Sequence, residues 1–136
     1  MKRLITLVLL LLSMQAVQAQ TDATPADSTK TAAVDSSKLY GYSREMPVKV
    51  GGGPKEQRAY LERLKDPQGS GVRYTRLGSC CPYKTDSPNA IMGGGMLDRY
   101  EIIYHDANNE KRRAVIYITF YDYEQPKPLA GFTFFD

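Results

Sequence analysis

Tyr100-Glu101-Ile102-Ile103-Tyr104-His105, Asp106-Ala107-Asn108-Asn109 and Ala114-Val115-Ile116-Tyr117-Ile118-Thr119-Phe120-Tyr121 together decide the fold. Tyr100, Ile102 and Tyr104 alternate with Glu101, Ile103 and His105. Ala114, Ile116, Ile118 and Phe120 alternate with Val115, Tyr117, Thr119 and Tyr121. Period-two patterning on both sides of an Asp/Asn turn predicts a β-hairpin. Both faces of the second strand are apolar or aromatic, which places it in the middle of a sheet with one face under a helix. Five of the ten tyrosines and all four phenylalanines follow Gly95, so the core is expected here.

Downstream, Pro126 and Pro128 bar Gln125 to Pro128 from a central strand. Leu129 to Phe135 reads as a last strand, which must be paired or covered because an exposed Phe-rich end aggregates. Upstream, Pro47-Val48-Lys49-Val50 reads as a short strand broken by Gly51-Gly52-Gly53. Pro54 suits the first turn of a helix, and Lys55 to Lys65 are good helix formers with Tyr60, Leu61 and Leu64 as the apolar stripe. Asp66 to Gly71 is a turn, and Val72 to Leu77 a strand rich in β-formers. The sum is a single small α+β domain of about ninety residues, 45–136, with an antiparallel sheet of about 4–5 strands and one short helix.

Gly78-Ser79-Cys80-Cys81-Pro82-Tyr83-Lys84 holds the only two cysteines, side by side. Cα atoms joined by a trans peptide lie about 3.8 Å apart, whereas ordinary disulfides span roughly 4.4–6.8 Å. A Cys80–Cys81 disulfide closes almost no loop, so it cannot act as a staple on the unfolded chain. The options are two structural residues with or without a local bond, a strained redox-sensitive ring, a bond to another molecule, or a soft-metal site. A four-coordinate metal wants more ligands than one Cys pair and the single His105 supply. From Gly78 to Gly95 the chain shows no clear period over roughly eighteen residues, and long loops are more often functional than short ones. This long Cys-Cys loop is the expected binding surface, with Cys80, Cys81 and Tyr83 on it and Tyr121 and Tyr123 as neighbouring contacts. Tyrosine suits such surfaces because its ring buries area while its hydroxyl still bonds. Gly52 and Gly53, ahead of a helix, are a further candidate for a small anionic group, although no phosphate-loop fingerprint accompanies them.

Nothing assembles a catalytic centre. His105 stands at a strand end beside a turn. Asp98 and Glu101 point to opposite faces, and Asp122 and Glu124 read as strand-end surface residues. No metal, nucleotide or nucleophile motif passes its context test, so neither a cofactor nor a metal is expected.

At the start of the chain, Lys2 and Arg3 precede the apolar run Leu4 to Leu12, and the small residues Val17 and Ala19 follow it at the spacing a leader peptidase reads. This is the pattern of a signal peptide, 1–19, cleaved near Ala19. The run is too short to span a bilayer, which takes about 20 apolar residues. Export to a periplasmic or extracellular space, with no transmembrane segment in the mature chain, follows as an expectation. Residues 20–44 are mostly Thr, Asp, Ala, Ser and Lys and read as a disordered spacer; Leu39-Tyr40-Gly41-Tyr42 is where docking onto the domain would begin. Cleavage takes the 18 basic residues to 16 against 15 acidic ones, a net charge of +1. That balance gives no electrostatic case for nucleic acid.

Val50-Gly51-Gly52-Gly53-Pro54-Lys55, Gly78-Ser79-Cys80-Cys81-Pro82-Tyr83 and Tyr121-Asp122-Tyr123-Glu124-Gln125-Pro126, with the closing Gly131-Phe132, resemble a group of small exported proteins from Gram-negative envelopes. The resemblance covers roughly residues 45–133 and implies an envelope location; it supplies no catalytic residue. Some of its members carry the label 2-dehydro-3-deoxyphosphooctonate aldolase, a chemistry associated with a (β/α)8 barrel of about 250 residues. A β-rich domain of this size has no room for one. The expected function is a non-enzymatic binding module for an envelope protein or a surface glycan. The competing class is a small redox-active or hydrolytic enzyme using Cys80, Cys81 and His105.

Overall fold

The computed structural model describes residues 36–136; the expected signal peptide and the spacer as far as residue 35 lie outside the described residues. The α+β expectation holds. Strands β1 (Val48–Lys49), β3 (Arg73–Lys84), β4 (Gly94–His105) and β5 (Lys111–Thr119) form one sheet, and β2 (Leu64–Lys65) and β6 (Thr133–Phe134) a small second one, with helix α1 (Pro54–Arg63) between β1 and β2 in the chain. The main sheet runs β1-β5-β4-β3 and is antiparallel except where β1 lies parallel to β5.

The β4–β5 hairpin is the one its alternation predicts. Tyr100 faces Ile116, and His105 faces Lys111. The turn closes when Asn109 N donates to Asp106 O, with Asn109 at φ 60, a left-handed geometry that Asn tolerates. The Asp106 carboxylate also accepts the Asn108 and Glu110 N–H groups. Tyr100, Ile102, Ile116 and Ile118 from this hairpin, Val48 from β1, and Tyr60 and Leu61 from α1 form the buried core.

Helix α1 starts at Pro54, as the missing proline N–H allows, and buries Gln57, Tyr60 and Leu61 at three- and four-residue spacing. It stops two residues earlier than its helix formers suggest. Leu64 turns to φ −69°, ψ 127° and pairs with Phe134 in β6, so the strand partner overrides helix propensity there. The Phe134 ring meets Tyr60 edge-on at 5.8 Å and carries the Arg63 guanidinium at 4.4 Å. Phe132 is buried and Phe134 paired outside the main sheet, whereas Phe135 stays 39% exposed and the strand expected over Leu129 to Phe135 shortens to Thr133–Phe134.

Two boundaries differ from the sequence reading. The chain is already docked before residue 45: Tyr40 and Tyr42 lie against the core, Gly41 O accepts from Tyr117 N, and Tyr40 Oη accepts from Lys127 N. A short aromatic cluster thus holds a segment whose average composition is polar. The long Cys-Cys loop is mostly strand: β3 continues to Lys84 and β4 begins at Gly94, leaving 85–93 as the connection. The ladder survives there because two β-bulges absorb the irregularity, at the register shifts between Arg76 and Gly78 and between Cys80 and Pro82. No helix among the described residues is long and apolar enough to cross a membrane.

Candidate functional site

The two bulges decide which way the end of β3 faces. Each inserts one residue, Leu77 and then Cys81, and each insertion switches the following side chains to the other side of the sheet. After Leu77, Ser79 stands opposite Asp98 on the face covered by α1, while Cys80 stands opposite Leu97 on the other. After Cys81, Tyr83 stands opposite Gly95. Cys80 and Cys81 are joined by a disulfide with their Cα atoms 3.7 Å apart. In a regular strand neighbouring side chains point to opposite faces; the bulge, with Cys81 at φ 47, brings the two sulfurs together. Both residues are partly exposed.

Tyr83 and Thr85 then converge on one carboxylate. Tyr83 Oη donates to Asp122 Oδ2 at 2.6 Å, and Thr85 Oγ1 donates to Asp122 Oδ1. Burial alone would raise the Asp122 carboxyl, but these two bonds and the Lys49 charge outweigh it and hold it below the ordinary range. Burial, the bond to Asp122 and the Asp122 and Glu124 charges all push the Tyr83 hydroxyl up. Asp122 O also accepts Gly51 N at 2.9 Å. Asp122, read from sequence as a surface residue, is therefore the point where the GGGPK, GSCCPY and YDYEQP stretches meet.

Beside this clasp the Tyr121 ring lies so close over Gly95 that any Cβ there would collide with it, and it stacks on Phe120 with centroids 4.6 Å apart. Pro82, Tyr83, Ile91, Met96 and Tyr121 line an open groove of about 510 Å³. At its rim the chain turns tightly: Ile91 and Gly94 exchange N–H···O bonds, with Met92 at φ 55 and Gly93 at φ 75. Such turns favour Asn-Gly. Here a methionine occupies the strained first position and is fully exposed, with Ile91 80% exposed beside it.

No family model, curated protein or solved structure matches the chain.

Of the sequence-predicted residues, Cys80, Cys81, Tyr83 and Tyr121 thus lie together at one end of the sheet. Tyr123 faces away from them, lining a smaller hollow of about 170 Å³ with Tyr60, Arg63 and Pro126. Gly52 and Gly53 belong to a compact turn in which Gly51, Gly52 and Gly53 all have positive φ. Gly53 N donates to Gly51 O, and Glu56 Cγ sits where a Gly52 Cβ would be. The turn's N–H groups are partly spent internally and an acidic side chain crowds it. His105 lies at the other end of β4, where its backbone N donates to Asp66 Oδ2. Among the described residues no group of three or more His, Cys, Asp or Glu side chains could hold a metal ion.

Behind the groove, the 2%-exposed Asp98 anchors a second network that the sequence reading did not single out. Gln57 Nε2 donates to its Oδ2 at 2.9 Å; Ser79 Oγ and Arg76 Nη2 donate to Oδ1 at 2.6 and 2.7 Å. Tyr100 Oη in turn donates to Gln57 Oε1. Burial disfavours the charge, but the bonds from Ser79, Gln57 and Arg76 more than offset it and lower the Asp98 carboxyl. With its oxygens engaged and its charge paired, this carboxylate fixes β3 against α1; it is not poised as a proton acceptor.

Proposed function

We propose that the protein is an exported envelope protein whose domain is a non-enzymatic binding module for a protein or glycan partner, with the groove between Pro82 and Tyr121 as the contact surface. The single observation carrying this reading is Met92: a bulky apolar side chain held at positive φ and wholly in water, at the rim of an apolar groove. Folding gains nothing from such an arrangement, and backbone strain of this kind persists where a site uses it. The export pattern and the resemblance to small Gram-negative envelope proteins support the location. A hydrolytic pairing of the cysteines with His105 is not built: His105 stands eight positions along β4 from Leu97, the partner of Cys80, roughly 27 Å at strand rise.

Met92→Asn tests the reading, because Asn fits left-handed geometry better. The variant should be more stable by about 1 kcal/mol in chemical denaturation. It should also be retained at least about tenfold less by envelope extract and cell-wall sacculi in co-sedimentation. Retention equal to the parent's, or no retention of the parent at all, removes the groove as the contact surface.

A further inference from the structure

We infer that the face of the main sheet turned away from α1 is a second contact surface, separate from the groove, which takes an anionic polysaccharide by pairing sugar carboxylates with Arg73, Arg99 and Arg113. Helix α1, Phe132 and Phe134 pack on the other face, around Tyr100, Ile102, Ile116 and Ile118. Strand alternation turns the intervening residues outward. They form three rows: Arg99 between Gly78 and Tyr117, Glu101 between Thr75 and Val115, and Ile103 between Arg73 and Arg113. Arg73, Thr75, Arg113 and Val115 are exposed.

Arg99 is the anomaly of this face. Arg76 and Arg112 each reach a carboxylate at 2.7 Å, Asp98 and Asp106 respectively. Arg99, half-buried on a central strand, meets no carboxylate among the described residues, and its Nε is buried without a hydrogen-bond partner. The acid of the three rows, Glu101, bonds to Arg113 at 3.3 Å. Three guanidinium groups against one carboxylate leave positive charge unmatched, and a partly desolvated cation without a partner costs the fold rather than helping it. A ligand carboxylate supplies the missing acceptor, because the planar guanidinium matches its geometry. The approach from β3 is open, since a Cβ at Gly78 would meet nothing within 4 Å.

The neighbouring groups choose among anions. Thr75 and Tyr117 bring hydroxyls and Glu101 brings acceptor oxygens, which suit a ligand with hydroxyl groups beside its acid. An acidic peptide offers no hydroxyls to Glu101, and an extended peptide adds to a sheet edge rather than to a flat face. Val115, Ile103 and the Tyr117 ring give apolar ground for the C–H faces of sugar rings. Arg73 and Arg113 flank Ile103 from the two neighbouring strands, about 10 Å apart, and Arg99 lies four residues along β4, about 13 Å away. That spacing fits a polymer with acid groups at intervals rather than one small anion.

NMR titration of the isotope-labelled exported chain, 20–136, with oligogalacturonate tests the inference. The expected outcome is saturable shifts at Arg73, Thr75, Gly78, Arg99, Glu101 and Tyr117, weakened by added salt, and none with the neutral galactose oligomer. Arg99→Gln should bind about tenfold or more weakly while keeping the parent's denaturation midpoint. Arg73→Gln, at an exposed position, should also weaken binding, and it decides the matter if Arg99→Gln does not fold. No saturable shift, shifts confined to the groove residues Tyr83, Ile91 and Tyr121, or full affinity in the folded variants overturns the inference. Equal binding of poly-L-glutamate or single-stranded DNA overturns the polysaccharide as partner. A concentration-dependent doubling of mass abolished by Arg99→Gln overturns it as well, by giving the face to a second copy of the chain. The groove variant Met92→Asn leaves this face unaltered, so a failed sheet-face site and a failed groove are told apart.

Discussion

Two carboxylates, Asp98 and Asp122, organise the sheet end that carries the groove, and their pH behaviour follows from what they hold. Both have folded-state values lowered from the ordinary 3.8. The unfolded chain therefore binds protons first as the solution is acidified, so their contribution is complete above about pH 5 and is lost as pH falls through the folded values, below about 4. Thermal unfolding should show a flat midpoint from neutral pH to about 5 and a falling one below about 4. Asp98→Asn should cost about 1–3 kcal/mol at pH 7 and flatten the acid limb; an acid limb as steep as the parent's would mean that Asp98 is not among its causes. Neither role was legible in the chain. Tyr83 and Thr85 are 39 and 37 positions from Asp122, and Gln57 is 41 from Asp98. Local pattern cannot report bonds over such separations.

At the scale of elements, what matters in β3 is its pairing with β4 rather than the side chain of an inserted residue. Leu77→Ala should change stability by no more than about 1 kcal/mol, because the side chain is 45% exposed. Deleting Leu77 removes the bulge but leaves Gly78 opposite Arg99 and Ser79 opposite Asp98, so the Asp98 bonds survive and a similarly small loss is expected in urea denaturation. A loss of about 2 kcal/mol or more on deletion would show that the bulge itself holds the strand end. The same two insertions explain where sequence reading stopped. The β4–β5 hairpin was legible because its alternation is unbroken, and α1 because Pro54 marks its start. From Gly78 onward β3 is a strand whose phase is switched at Leu77 and again at Cys81, and a pattern interrupted twice within a few residues has no period to detect. The cysteine pair was recognisable as unusual, but that it occupies a bulge depends on pairing with β4.

The whole molecule is larger than its apolar composition suggests, because the Tyr40–Tyr42 segment completes the core. Gly41 has no room for a side chain between Leu129 and Val48, and burial pushes the Tyr42 hydroxyl up to about 12. A chain beginning at Glu45 should be less stable than one beginning at Ser36 by roughly 3–5 kcal/mol, from lost aromatic burial. Matching denaturation midpoints for the two would show that the segment only rests on the surface. Among the described residues, β3 forms a long outer margin of the main sheet. Another chain's strand laid along it would find four regular positions from Arg73 to Arg76, then an inserted residue, then a second, then Pro82, which has no N–H to offer. Continuous templating needs an even row of donors and acceptors. The crookedness that shapes the groove therefore also keeps this edge from templating the strand of another copy.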